Sequence, residues 1–160
     1  MDYGTAAESG GFAALFAFFA AMMFFFVIVG ILLYVLSSIG LYKLALNRGI
    51  ENPWMAWIPV ANFYIIGKLI QTLSIGTYVI PNVELVLTGG CLAALLLSWI
   101  PVIGMLLSLA FAVLTCFALF RLYTLYRPQQ ATLWLILSIV LPFMGPIFIF
   151  MLRKDPNPQL

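Results

Sequence analysis

Long apolar runs separated by short polar stretches organise this chain. From Phe12 to Leu46 almost every position is apolar, and a continuous helix over that run would be about 50 Å long against a hydrocarbon core of ~30 Å. A first span is predicted over about residues 12–40. The helix is expected to leave the bilayer near Gly40, where Ser37, Ser38, Tyr42, Lys43 and Arg48 cluster, and to continue past the headgroups. The next apolar stretch, Pro53 to Ile70, contains Pro59, Asn62, Gly67 and Lys68. Pro53 suits a first helical turn, whereas Pro59 removes a backbone donor inside the segment. Residues 53–70 are therefore predicted to be an interfacial or re-entrant helical segment. Leu73 to Thr77 reads as a turn. Tyr78 to Ile100 is long enough to span, with Pro81, Asn82 and Glu84 in its first turns.

Ile100-Pro101 and Gly104 leave room only for a tight reversal into a third span, about residues 102–123, so the second and third helices pair as an antiparallel hairpin. Tyr126 to Gln130 is a polar loop, and Ala131 to Leu152 forms a fourth span, kinked by Pro142, Gly145 and Pro146. The predicted fold is an all-α integral membrane protein with four transmembrane helices (about 12–40, 78–100, 102–123 and 131–152). It forms one polytopic domain over residues 1–160, with polar tails at 1–11 and 153–160.

Composition excludes a water-soluble globule, because 65% of the 160 residues are apolar and 8% are charged, where soluble domains carry about 25% charged residues. Lipid is the main solvent. The net charge of +2 is dispersed, unlike the clustered Lys and Arg of a nucleic-acid interface, so no nucleic-acid partner is expected. With no His and five scattered carboxylates, no metal, cofactor or enzymatic activity is expected. Cys91 and Cys116 sit in apolar runs, where free cysteine behaves as a small hydrophobe. The acidic, polar start (MDYGTAAESGG) is unlike a cleaved signal peptide, so the first apolar segment is expected to remain in the mature protein.

The seven basic residues choose between topologies through the positive-inside rule. With the N-terminus outside and 53–70 not crossing, Lys43, Arg48, Lys68, Arg121 and Arg127 lie inside, and Arg153 and Lys154 outside. If 53–70 crosses, the division is four against three. A third arrangement folds 131–152 as a re-entrant hairpin and leaves all seven inside. The four-span topology is the working expectation, and it puts Trp54, Trp57 and Trp134 at the inner interface and Trp99 at the outer one as aromatic anchors.

Several patterns are candidates for function. Ala13, Ala17, Ala20 and Ala21 form a small-residue stripe on the first helix, beside Phe12, Phe16 and Phe19 on another face. The stripe reads either as plain packing and lipid contact or as an interface for a partner. Gly90, Ala94 and Ser98 in the second span, and Gly104, Ser108, Ala112 and Cys116 in the third, recur every fourth residue and are expected to pack the hairpin together rather than to line a narrow polar path past Thr88, Ser98, Ser108 and Thr115. Glu84, near Asn82, reads as an interfacial ion pair with Lys68 or Arg121, or as a proton or cation site. Asn62, Lys68 and Glu84 are the candidate polar site.

The segment Asn52-Pro53-Trp54-Met55-Ala56-Trp57-Ile58-Pro59-Val60-Ala61-Asn62-Phe63-Tyr64 resembles the PWxAWIPxxNxY segment of an uncharacterised family of small multi-pass membrane proteins, mostly of Gram-positive bacteria. Leu137 to Arg153 is similar to their final helix, and the resemblance extends over roughly residues 40–154. It implies a multi-pass topology in a bacterial inner membrane and implies no reaction. Interfacial Trp and Tyr with helix-ending Pro explain the same motif without a ligand.

Two functions follow as expectations. The first is a non-enzymatic accessory or scaffolding subunit of a bacterial membrane complex, which contacts another membrane protein through a first helix too long and too apolar to be used by three other spans. The alternative is a small oligomeric channel or transporter, with a broken-helix segment at Pro59–Asn62.

Overall fold

The computed structural model describes residues 4–75 and 78–154, with side chains over 11–73 and 79–154. Its helices are α1 (Gly4–Asn47), a 3-10 turn (Pro53–Trp57), α2 (Ala61–Ile70), α3 (Val83–Leu97), α4 (Pro101–Tyr126), α5 (Ala131–Val140) and α6 (Met144–Leu152), with strands β1 (Leu73–Ile75) and β2 (Tyr78–Ile80) before α3. The fold is helical, and two stretches, Gly11–Asn47 and Pro101–Tyr126, are long and apolar enough to cross a membrane. The chain divides into two units, Met1–Tyr34 and Val35–Leu160.

In the first unit, α1 is built from Ala, Leu, Met and Phe with no proline, so every backbone group can be satisfied within the helix, as lipid requires. Its side chains from Gly11 to Ile28 are exposed on all faces. Ring packing along this stretch is local: Phe18 meets Phe19 edge-on at 6.1 Å, and Phe25 meets Phe26 at 5.9 Å.

The second unit holds a continuous core. Leu41 and Leu44 from the last turns of α1 join Ile65 and Leu69 of α2, Leu87 of α3, Leu122 and Tyr123 of α4, Trp134 of α5, and Phe148 and Leu152 of α6. Helix α2 packs on α3 and α4, and α4 packs on α5. Two glycines permit especially close approaches. A Cβ at Gly40 would stand 2.7 Å from the Ile149 carbonyl oxygen, and one at Gly67 would overlap the backbone of Glu84. These small residues let helix backbones meet, which is how packing is gained where lipid removes the hydrophobic drive between helices. An aromatic cluster locks α4 to α5 and α6: Trp134 stacks on Phe148 at 4.5 Å, and Tyr123 meets both rings edge-on.

Three predicted elements are corrected. The helix expected over 78–100 starts only at Val83, and Tyr78–Ile80 is instead a strand paired antiparallel with Leu73–Ile75, in the register Leu73 to Ile80 and Ile75 to Tyr78. The turn expected over Leu73 to Thr77 is thus strand over 73–75, and its remainder lies outside the described residues. The cause is local: Gln71, at φ 61°, ends α2, and Pro81 with Asn82, at φ 54°, delays α3, so the β-prone residues between them pair. At 15 residues, α3 is about 22 Å long, short of the ~30 Å hydrocarbon core. The span expected over 131–152 is two helices of 10 and 9 residues, separated at Leu141–Phe143. Pro142 supplies no donor to continue α5, while Pro146 falls in the first turn of α6, where its missing N–H costs nothing. Between Pro53 and Ile70 the helix is likewise interrupted around Pro59, leaving a 10-residue α2.

Candidate functional site

The break between α5 and α6 forms one wall of a cavity of about 250 Å³ within the second unit. Its polar lining comes from four helices: Ser37 on α1, Asn62 on α2, Thr115 on α4 and Ser138 on α5, with Pro142 and Pro146 at the break. Phe63, Leu119 and Ile149 complete the apolar wall. Asn62 is positioned by the turn that Pro59 enforces, since its backbone N–H donates to the Ile58 carbonyl at 2.9 Å as α2 begins. The Asn62 Oδ1 is buried and has no hydrogen-bond partner, an arrangement that costs free energy unless a donor reaches it. Thr115 Oγ1 donates to the Phe111 carbonyl at 2.8 Å, and Ser138 Oγ donates to the Trp134 carbonyl at 2.8 Å. With the Ser138 proton engaged, the Tyr123 hydroxyl donates to Ser138 Oγ at 3.1 Å.

Lys68 and Glu84 meet elsewhere. They line an open cleft of about 510 Å³ together with Glu51, Gln71, Asn82 and Ile50, where the end of α1, the end of α2 and the start of α3 converge. The Gly67–Glu84 backbone contact brings the two residues to one place. The expected ion pair is not the result: Lys68 lies with its Nζ 5.5 Å from the centre of the Tyr64 ring, and Arg48 Nη2 donates to the Leu69 carbonyl at 3.4 Å beside the cleft. The predicted polar set of Asn62, Lys68 and Glu84 is thus distributed over two sites.

Ala13, Ala17, Ala20 and Ala21 are all exposed. The small residues of the α3–α4 hairpin do not form a single seam. Gly104 closes the reversal against the Leu97 carbonyl and Ser98, and Gly90 faces the Phe111 ring, but Ser98, Ser108 and Ala112 are not buried by the partner helix, and Ala94 is half-buried. Ala112 and Cys116 border an apolar groove of about 420 Å³ with Phe117 and Leu135. Trp54, Trp57 and Trp99 are exposed, Trp99 almost completely, whereas Trp134 lies in the core with Arg127 5.5 Å from its ring. Among the described residues no three His, Cys, Asp or Glu side chains gather as a metal ion would require.

Sequence reasoning does not single out Ser138, considers Thr115 only as one of the hydroxyls of a polar path with Thr88, Ser98 and Ser108, and takes Ser37 only as a marker of the bilayer boundary. Ser37, Thr115 and Ser138 share a cavity because α1, α2, α4 and α5 converge, which no spacing along the chain reveals. The geometry defines a helical protein with two helices suited to crossing a membrane and a largely apolar cavity with four polar side chains at a broken helix. Comparison with protein-family models, curated proteins and solved structures finds no match.

Proposed function

We propose that this chain is a non-enzymatic four-pass protein of a bacterial inner membrane, with its N-terminus outside, and that it serves as an accessory subunit docked to another membrane protein through α1. The observation that carries this reading is the exposure of every side chain from Gly11 to Ile28, while residues 35–154 hold a core of their own. At 37 residues, the apolar stretch Gly11–Asn47 is about 55 Å long, more than a bilayer alone would need. The stripe Ala13, Ala17, Ala21 supplies the small side chains that close helix contact in lipid uses. In this topology the second pass is made by residues 78–100, with the 15-residue α3 inside it and its flanking residues reaching the interface, the pair α5–α6 completes the four passes, and α2 lies beside them without crossing.

Gentle-detergent purification of the tagged protein tests the reading. A single other membrane protein is expected to travel with it at fixed stoichiometry and to be lost on the combined change Ala13→Leu, Ala17→Leu, Ala21→Leu. A homo-oligomer alone, or a partner retained by that variant, overturns it. The cavity at the α5–α6 break favours a second reading, a small oligomeric channel or transporter, since broken helices line binding sites in transporters. Flux that depends on this protein in proteoliposomes and no co-purifying subunit would select it.

A further inference from the structure

The cavity at the α5–α6 break has a definite hydrogen-bonding character. Two of its hydroxyls, Thr115 Oγ1 and Ser138 Oγ, have committed their protons to the carbonyls of Phe111 and Trp134, so they offer only lone pairs, one of those on Ser138 already taken by the Tyr123 hydroxyl. Asn62 adds a buried Oδ1 that accepts nothing. Pro142 has no N–H, so the carbonyl of Ser138 loses the donor that a continuous helix would bring four residues on. Side-chain acceptors from α2, α4 and α5 therefore line one cavity beside this break. Among the described residues no Lys, Arg, Asp or Glu lines it.

Uncharged oxygen acceptors set in an otherwise apolar lining, at a broken helix, resemble the way transporters hold alkali cations with unwound carbonyls and hydroxyls. The lining decides the charge that fits. A divalent ion, which takes carboxylate ligands in proteins, has no counter-charge here, whereas a single positive charge can be met by oxygen dipoles alone. The volume of about 250 Å³ accepts such an ion with some of its water retained. We propose that this cavity binds a monovalent cation, Na⁺ or K⁺, held by Asn62 Oδ1, Thr115 Oγ1, Ser138 Oγ and the Ser138 carbonyl that Pro142 leaves without a donor. Such a site does not depend on α1 having a partner. It adds a ligand that joins α2 and α4 to α5 beside the break.

The test is thermal unfolding of the full-length protein in detergent, titrated with NaCl or KCl against choline chloride at constant ionic strength. Choline is too large to be held by the same oxygens and brings no N–H donor. A saturable rise in Tm of about 3–6 °C at ten times the dissociation constant is expected for Na⁺ or K⁺. Asn62→Leu and, separately, Thr115→Val should remove most of that rise, and Glu84→Gln, in the charged cleft, should leave it intact. Equilibrium binding of radioactive Na⁺ or Rb⁺ to the wild-type chain gives a readout that does not depend on the variants folding, with close to one ion per chain expected. Identical Tm values in choline and alkali chlorides together with no bound isotope overturn the proposal. So does a rise that survives Asn62→Leu and Thr115→Val but is lost in Glu84→Gln, which would put the ion in the charged cleft.

Discussion

Helix α1 over residues 11–28 and helix α4 are both apolar enough to cross a membrane, yet they are used differently. In α1 each of those side chains is exposed. In α4 the last turns enter the core through Ala118, Leu122, Tyr123 and Tyr126, while Val102, Met105 and Leu106 near its start remain exposed. Hydropathy marks both helices as able to cross a membrane and says nothing about their neighbours. The Tyr123 ring of α4 meets Trp134 and Phe148 of later helices, whereas the ring contacts of α1 over this stretch are between adjacent Phe residues. Over residues 11–28 α1 adds nothing to the core, whereas α4 supplies four of its buried side chains.

The self-packed unit and the exposed helix should differ most at their glycines. Gly67→Val drives a side chain into the Glu84 backbone, and its expected outcome is loss of the monodisperse protein in detergent. At Gly30 in α1 nothing lies within 4 Å of the place a Cβ would take, so Gly30→Val is expected to leave yield and Tm unchanged. Size-exclusion profiles of the two variants decide the matter, and equal damage in both would erase the difference. Topology gives the next contrast. In a chain with Cys91 and Cys116 replaced by Ala, Ile103→Cys at the start of α4 is expected to react with an impermeant thiol reagent from outside, and Gln129→Cys after its end only once the membrane is permeabilised. Labelling of both from the same side would refute a crossing by α4.

A smaller effect is expected in the core. Trp134→Ala removes the ring stacked on Phe148 and should cost about 3–5 kcal/mol in an unfolding titration, while Phe16→Ala, at an exposed position of α1, should fall within about 0.5 kcal/mol of wild type. The mildest loss within the core is expected for Ser138→Ala. It leaves the Tyr123 hydroxyl without its acceptor and should lower stability by about 0.6 kcal/mol, in the range measured for hydrogen bonds between membrane helices.

Much of the helical layout is legible in the amino-acid order because the governing signals are local. The apolar run after Phe12, the reversal at Ile100-Pro101-Gly104 and the interruption at Pro142 all follow from the chemistry of a few adjacent residues. The β1–β2 hairpin is not legible, because Leu-Ser-Ile and Tyr-Val-Ile are too short for periodicity to separate strand from buried helix. Residue type alone sends Trp134 to an interface, whereas its ring is claimed by Phe148, from the next helix beyond the break. The four-residue stripe through Gly104, Ser108 and Ala112 marks a face of α4 but not what covers it, and Phe111 rather than that stripe meets Gly90. The cavity at Asn62 is hidden for the same reason, since its oxygens come from helices more than 20 residues apart in sequence.

Whether α1 is a protein-binding helix can be read by photocrosslinking in native membranes, with a photoreactive residue placed in turn at each position from Ala13 to Ile28. Adducts to one other membrane protein are expected, concentrated at Ala13, Ala17 and Ala21 and absent from the opposite face. Lipid adducts alone at every position would contradict a docking role for this helix.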